Sequence, residues 1–264
     1  MLSKAKIKLI RSLGQKKGRR EHQLFVAEGP KVVADLLERG RARLLVATQQ
    51  WTEHNAELSR LCDELCMVSP EELSKVSFLQ HPQDVLGLFP IPSTADDIHA
   101  TAHWCHRTEK ELVIALDGVQ DPGNLGTIIR IADWFGIELI ICSHDTADIY
   151  NPKVIQATMG SLARVEVVYA DLQKVIDGLP AGTPVYGTLL NGDDLYSSEL
   201  TANGLLVMGN EGNGISEEVA RRLTHRLLIP NFPAGRPTAD SLNVAIATAV
   251  TCAEFRRRLK GNNN

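Results

Sequence analysis

The apolar run Leu112–Leu116 leads through Asp117-Gly118 to the turn residues Asp121-Pro122-Gly123-Asn124, and a helical pattern carrying Arg130 follows. A run this short, apolar at every position, predicts a strand buried on both faces, as in a parallel sheet. The periodic residues of 128–135, ending at Gly136, predict a helix. Helical side chains lean toward the N-terminus, so Arg130 is expected to point at the loop carrying Asn124. An amide and a permanent cation then stand beside a strand's carboxyl end, where open α/β sheets hold their ligands. The same residues also fit a plain strand-turn-helix whose arginine faces solvent. This segment alone does not choose between the two.

Two later segments choose. Residues 205–216, Leu-Leu-Val-Met-Gly-Asn-Glu-Gly-Asn-Gly-Ile-Ser, form a second apolar strand running into a glycine-rich turn with Glu211 at its centre. Residues 228–231, then 240–247 (Asp-Ser-Leu-Asn-Val-Ala-Ile-Ala), read as a strand, a loop and the start of a small-residue helix. In this order the three segments resemble the signature motifs of the SpoU (TrmH-type) family of the SPOUT superfamily of RNA 2′-O-ribose methyltransferases. The resemblance covers roughly residues 110 to 259, and three ordered motifs are far more specific than one glycine-rich turn.

The resemblance implies methyl transfer from S-adenosylmethionine to a ribose 2′-hydroxyl in rRNA or tRNA, by a trefoil-knot domain working as a homodimer. Matched residue by residue, Arg130 is the catalytic arginine, and Asn124 orients it or the ribose. Glu211 buttresses the arginine or positions the loop, and Ser241 and Asn243 belong to the Ser-Leu-Asn motif. A lone serine before an apolar helix also suits an N-cap, so Ser241 is expected to start the last helix. Gly209, Gly212, Gly214, Ile229, Leu242 and Asn243 are the positions implied for holding the donor, largely through backbone. No metal is implied. Gln156 stands where the family usually has arginine and Thr158 where serine is usual. Ala245 replaces a frequent serine, and the 231–240 loop is longer than the common form.

Two other functions fit the sequence less well. A non-catalytic RNA-binding protein retaining the fold is disfavoured by the complete set Asn124, Arg130, Glu211, Ser241 and Asn243. A nucleotide-dependent oxidoreductase is disfavoured because no Gly-x-Gly-x-x-Gly follows the first strand.

The net charge of −4 alone argues against a nucleic-acid partner. Its distribution reverses that: residues 1–31 carry six lysines and three arginines against two glutamates. A basic segment of this kind is an electrostatic footprint for a phosphate backbone. Lys16, Lys17, Arg19, Arg20 and Lys31 are the expected RNA contacts, and they also resemble part of the ribosomal-protein-like RNA-binding domain often fused to SpoU enzymes. Five cysteines without paired spacing fit buried free thiols in a reducing compartment. With no apolar run long enough for a membrane span, a cytoplasmic protein is expected. His99, His103, Cys105 and His106 cluster locally, a pattern that suits a polar helix face better than a zinc site.

A break in composition near 89–97 divides the chain. An α/β class is predicted: a small N-terminal RNA-binding domain over 1–94, a linker over 95–109, and a parallel-sheet methyltransferase domain over 110–264. In the first, strands are expected at 24–27, 44–47 and 85–89, with helices at 31–39, 55–64 and 70–76. In the second, strands are expected at 112–116, 138–142, 165–169, 184–190, 205–208 and 226–229, with a final helix over 241–259. That helix is apolar or small nearly all round in its first half and should be enclosed on several sides. Arg256-Arg257-Arg258 at its end is expected to complement the helix dipole, and 262–264 to fray.

Overall fold

The computed structural model describes residues 2–92, 98–233 and 239–261. The terminal asparagines and residues 234–238 of the lengthened loop lie outside them, as does the far side of the 89–97 break. The chain runs α1 (Lys4–Ser12), α2 (Lys16–His22), β1 (Leu24–Glu28), α3 (Pro30–Leu37), β2 (Leu44–Ala47) and α4 (Gln49–His54). β3 (Leu65–Met67), α5 (Pro70–Ser74) and β4 (Val85–Pro90) complete the first stretch. Next come α6 (Ile98–Arg107), β5 (Leu112–Leu116), α7 (Pro122–Trp134), β6 (Leu139–Cys142), α8 (Pro152–Thr158), β7 (Glu166–Tyr169) and α9 (Leu172–Asp177). The last are β8 (Val185–Asp194), β9 (Gly204–Met208), α10 (Glu217–Ala220), β10 (His225–Leu228) and α11 (Val244–Gly261).

Two compact units result. One holds the N-terminal stretch together with Asp148–Ala163, and the other holds the remainder. In the first, β1-β4-β2-β3 form a four-stranded sheet, parallel only between β2 and β3. Successive strand residues face opposite ways, so Phe25, Ala27, Leu45, Ala47 and Val85 build one core with Val33 and Trp51. Val26, Leu44, Val46, Leu86 and Leu88 build another with Ile10 and Leu13. Asp148–Ala163 belongs here because Ile155 joins the first of these cores, with Tyr150 and Leu162 packed against it. The Tyr150 ring lies 4.9 Å from that of Phe25. The expected uninterrupted stretch from residue 110 onward therefore gives up this segment to the N-terminal sheet.

The helix expected over 55–64 is displaced. Thr48 accepts from the Trp51 amide at 3.3 Å and starts α4 early, Trp51 is buried, and a 3₁₀ turn over Leu58–Arg60 precedes β3. β3 escaped the sequence pattern because it is three residues long and leaves Leu65 and Met67 exposed. The basic N-terminal segment is folded as α1 and α2, with Ile10 and Leu13 fully buried.

In the second unit six parallel strands lie in the order β10-β8-β9-β5-β6-β7. β5 and β9, buried at every residue, pair from Leu112↔Gly204 to Leu116↔Met208. Because all strands run the same way, the loops after β5, β9 and β10 emerge at one edge.

α11 starts at Val244, not at 241, and packs on α7. Asn243 caps it, its Oδ1 accepting from the Ala245 and Ile246 amides at 3.0 and 3.3 Å. Ser241 is therefore not the N-cap. The first half of α11 is not enclosed on all sides either: Val244, Ala245 and Thr248 are buried, whereas Ile246 is 54% exposed. The arginine triplet does more than complement its own helix. Arg256 donates to the carbonyls of Phe135 and Gly136 beyond α7, at 2.7 and 3.0 Å. Arg258 donates to the Ser198 and Tyr196 carbonyls. Arg257 and Arg258 both grip the buried Glu254, at 2.7 and 2.8 Å.

These bonds, Arg257's first and Arg258's second, hold the Glu254 carboxyl down to about 2 despite burial. A depressed carboxylate contributes stability above its unfolded value of about 4.3 and loses it as pH falls toward the folded value. Glu254→Gln should thus cost about 1.5 kcal/mol at neutral pH, discounted for the exposure of Arg257. Thermal unfolding should show the gap between variant and wild type closing between about pH 4 and pH 2. A gap that stays constant across that range would contradict the assignment.

Candidate active site

The site begins with the turn after β5. Asp121 caps α7, its carboxylate accepting from the Asn124 amide at 2.8 Å, and Pro122 occupies the first turn, where its missing N–H costs nothing. Asn124 is consequently not a loop residue but part of the first helical turn. Arg130 follows six positions later, which puts the two about 120° apart around the helix axis at 3.6 residues per turn. The two do not face each other. Arg130 is exposed and makes no hydrogen bond or ion pair among the described residues.

Asn124 instead joins the other two motifs. Its Nδ2 donates to Glu211 at 2.9 Å, and its Oδ1 accepts from Asn243 Nδ2 at 2.9 Å. Glu211 also accepts from the backbone amides of Gln120 and Asp121, at 3.4 Å each. A carboxylate here meets the partial positive charge at the start of α7. Glu211, Asn124 and Asn243, from three segments far apart in sequence, therefore form one hydrogen-bonded chain at the carboxyl edge of the sheet. Glu211 does not touch Arg130. Asn243, through its Oδ1, also takes the first amides of α11, so those donors are engaged before any anion arrives.

The loop after β9 doubles back tightly. Asn210 pairs with Gly214 through backbone bonds, and its side chain accepts from the Gly212 and Asn213 amides while donating to the Gly118 carbonyl at 2.6 Å. A Cβ on Gly209 would lie 2.3 Å from the Gly214 backbone, and Gly214 itself sits at φ +71°. Gly212 meets no such restriction. Asp117 ties the same loop to β5, accepting from the Ser216 amide at 2.7 Å. Asn210 and Asp117 escaped the sequence reading, although an asparagine directly after a buried strand, among glycines, is a signal for this turn chemistry. Ser241 and Leu242 are exposed beside Asn243, the latter at 52%, and Ile229 is half-buried just past β10.

In the N-terminal unit, Lys16, Lys17, Arg20 and Lys31 are exposed. Arg19 is not: it is 3% exposed, pairs with Asp148 at 2.7 Å and donates to the Leu13 carbonyl at 2.8 Å. With its fork occupied inside the fold it offers nothing to a phosphate. Lys31 also pairs with Asp35 at 3.2 Å, one turn along α3. Of the histidine–cysteine cluster, Cys105 is buried with its thiol on the Val175 carbonyl and His106 faces Glu109, while the His99 side chain lies outside the described residues. Among the described residues no helix is long and apolar enough to cross a membrane.

This edge of parallel strands, with its three linked motifs, is that of a methyltransferase of the SPOUT type. Comparison with known proteins gives the family: the SpoU rRNA Methylase family matches residues 111–253, and the chain belongs to it. An MRM3-like substrate binding domain matches residues 4–87. The chain is 30% identical over 260 residues to the 23S rRNA (guanosine(2553)-2′-O)-methyltransferase of Bacillus subtilis (strain 168), covering 95% of this chain and 96% of that one. An AdoMet-bound rRNA methyltransferase from Sinorhizobium meliloti superposes with a TM-score of 0.83 at 35% identity, covering 98% of this chain and 97% of that one. The SpoU methyltransferase AviRb from Streptomyces viridochromogenes, in complex with AdoMet, gives a TM-score of 0.81 at 26% identity, covering 98% and 99%.

Proposed function

We propose that this protein methylates a ribose 2′-hydroxyl of ribosomal RNA, with S-adenosylmethionine as the donor. The observation that carries the reading is the Glu211–Asn124–Asn243 chain, which locks the loops of three motifs together at the carboxyl edge of the sheet. The 23S rRNA activity of the Bacillus relative supports rRNA over tRNA. The donor brings a methyl group already activated for transfer. The loop built on Gly209, Gly212 and Gly214 folds back tightly, with the Gly212 and Gly214 amides engaged within it, so that backbone can approach a donor closely, and Ile229 and Leu242 offer apolar surface for an adenosine. Such a set fits a donor held mainly through backbone.

Arg130 acts on the acceptor. Its guanidinium presents five N–H donors and no acceptor, so it steadies the developing alkoxide or grips the neighbouring phosphate. Asn124, Glu211 and Asn243 position the loops rather than the arginine, and Ser241, exposed beside them, is free to meet substrate. Residues 1–94 bind RNA while residues 110–264 carry the reaction, in the cytoplasm. The trefoil knot and homodimer implied by the family resemblance are part of this reading. Trp134, Leu242 and Ile246, all more than half exposed in the catalytic unit, support a second copy covering them.

The decisive experiment is transfer of labelled methyl to rRNA from cells lacking the gene. Arg130→Ala should lower the rate on the order of a hundredfold or more. Calorimetry with S-adenosylhomocysteine should show donor affinity unchanged. Activity within a few-fold of wild type would remove Arg130 from the reaction, and absence of transfer by wild type would favour a non-catalytic RNA binder.

Sedimentation at micromolar concentration should give a dimer. A monomer would leave the exposure of Trp134 and Ile246 without an explanation.

The basic surface is tested by neutralising Lys16, Lys17 and Arg20 together, leaving the buried Arg19 in place. RNA affinity should fall, and each lost phosphate contact should reduce the log–log salt slope by about 0.7 to 0.9. An unaltered slope would move the RNA surface elsewhere.

A further inference from the structure

Gln156 lies on α8, within the N-terminal unit. It lines a cavity of about 420 Å³ in the N-terminal unit, of the size that small-ligand pockets occupy. Val26 and Ile155 supply apolar wall, and the 39%-exposed Phe78 supplies an aromatic ring. That ring stays where it is because residue 14 is glycine: a Cβ there would lie 2.6 Å from Phe78 Cε1.

The polar groups on the lining are few and differ in kind. The buried Glu28 accepts from the Phe78 amide at 2.8 Å and from the Ser77 hydroxyl, one donor on each carboxylate oxygen. Each oxygen therefore keeps a lone pair. Burial holds this carboxyl above the usual range, and the Ser77 and Phe78 bonds only partly offset it. A ligand donating to it would relieve that cost. The half-buried Gln156 side chain makes no hydrogen bond among the described residues. Asn151 spends its Oδ1 on the Lys153 amide at 2.9 Å, which leaves its NH₂ unused. Lys153 is exposed at the rim.

We propose that this cavity holds one unpaired nucleobase of the RNA substrate, stacked on Phe78, with guanine preferred. Guanine presents adjacent N1–H and N2–H donors, which suit the two oxygens of Glu28, and an O6 acceptor, which suits the amide of Gln156 or Asn151. Uracil offers one ring donor, and cytosine and adenine pair an amino group with an acceptor that a carboxylate repels. Stacking on an aromatic ring is how proteins hold splayed single-stranded bases. The proposal rests on RNA being the substrate, and it adds a specificity element outside the catalytic unit.

The probes are heptaribonucleotides of uridine whose central base is G, A, C or U, titrated into the full-length protein by fluorescence anisotropy. The G-centred probe should bind about tenfold more tightly than the other three, and Phe78→Ala should weaken the G-centred probe most, because a base not seated on the ring also loses its reach to Glu28. Gln156→Leu, which removes no bond within the fold, should weaken it several-fold and serves as the second variant if Phe78→Ala fails to fold. Affinity for S-adenosylhomocysteine should be unchanged in both. Equal binding of all four probes, or a G preference that survives both substitutions, would overturn the proposal. Methyl transfer to rRNA, assayed in parallel, separates the two readings. Transfer without base preference sinks the pocket alone, whereas G-selective binding without transfer leaves the pocket standing and sinks the enzymatic assignment.

Discussion

Glu211 is where the catalytic unit is tied together. Its carboxylate sits in the turn after β9 yet satisfies two backbone amides and a side-chain amide at the start of α7. The Asp121 amide is one of the donors that a helix leaves unsatisfied at its N-terminus, and a negative charge there is favoured by the helix dipole. Asn124 passes the constraint on to Asn243, which in turn caps α11. One carboxylate thus fixes the entry of two helices relative to the sheet edge. This is possible only because β5 and β9 are neighbours in register, so that Asp117 and Ser216 also meet across the same edge. An antiparallel pair would send these loops to opposite ends.

The last helix depends on the same frame. Asn243 fixes its start, and Arg256 fixes its far half to the carbonyls beyond α7, so α11 is held to α7 at both ends. Between them Phe255 packs edge-on against Tyr186 at 5.0 Å, joining the helix to β8. An apolar face still remains uncovered at Ile246. Packing within one chain explains the buried side of this helix and leaves Ile246 exposed on the other.

The parallel strands were legible because burial on both faces writes a continuous apolar run, as in Leu112–Leu116 and 205–208. The three motifs were legible because their glycines, asparagines and acid stand at fixed offsets from those strands. What sequence did not reveal was pairing decided by tertiary geometry. Asp121-Pro122 carries the mark of a helix start, an N-cap followed by a first-turn proline, but the same residues also read as a turn, and the earlier start turns Asn124 away from Arg130. Arg19 reads as one more basic residue until Asp148, 129 positions away, is found against it. Residues 148–163 carry no mark of belonging to the N-terminal sheet, since an apolar helix face fits any core of the right shape.

The separation of Arg130 from Glu211 has a consequence for how the site can work. Had the carboxylate paired with the guanidinium, the two charges would have cancelled much of each other's field at the acceptor. At about 4 Å such a pair is worth roughly 4 kcal/mol at an effective dielectric near 20, and an anionic substrate would have had to compete with it. The fold instead assigns Glu211 to neutral amide donors, which hold loops in place without consuming a cation. Arg130 makes no hydrogen bond or ion pair among the described residues, so in the proposed reaction its charge and donors would be left for a phosphate or an alkoxide. Substrate, rather than another side chain, would then be the counter-charge, and the arginine's field would act most strongly where negative charge develops.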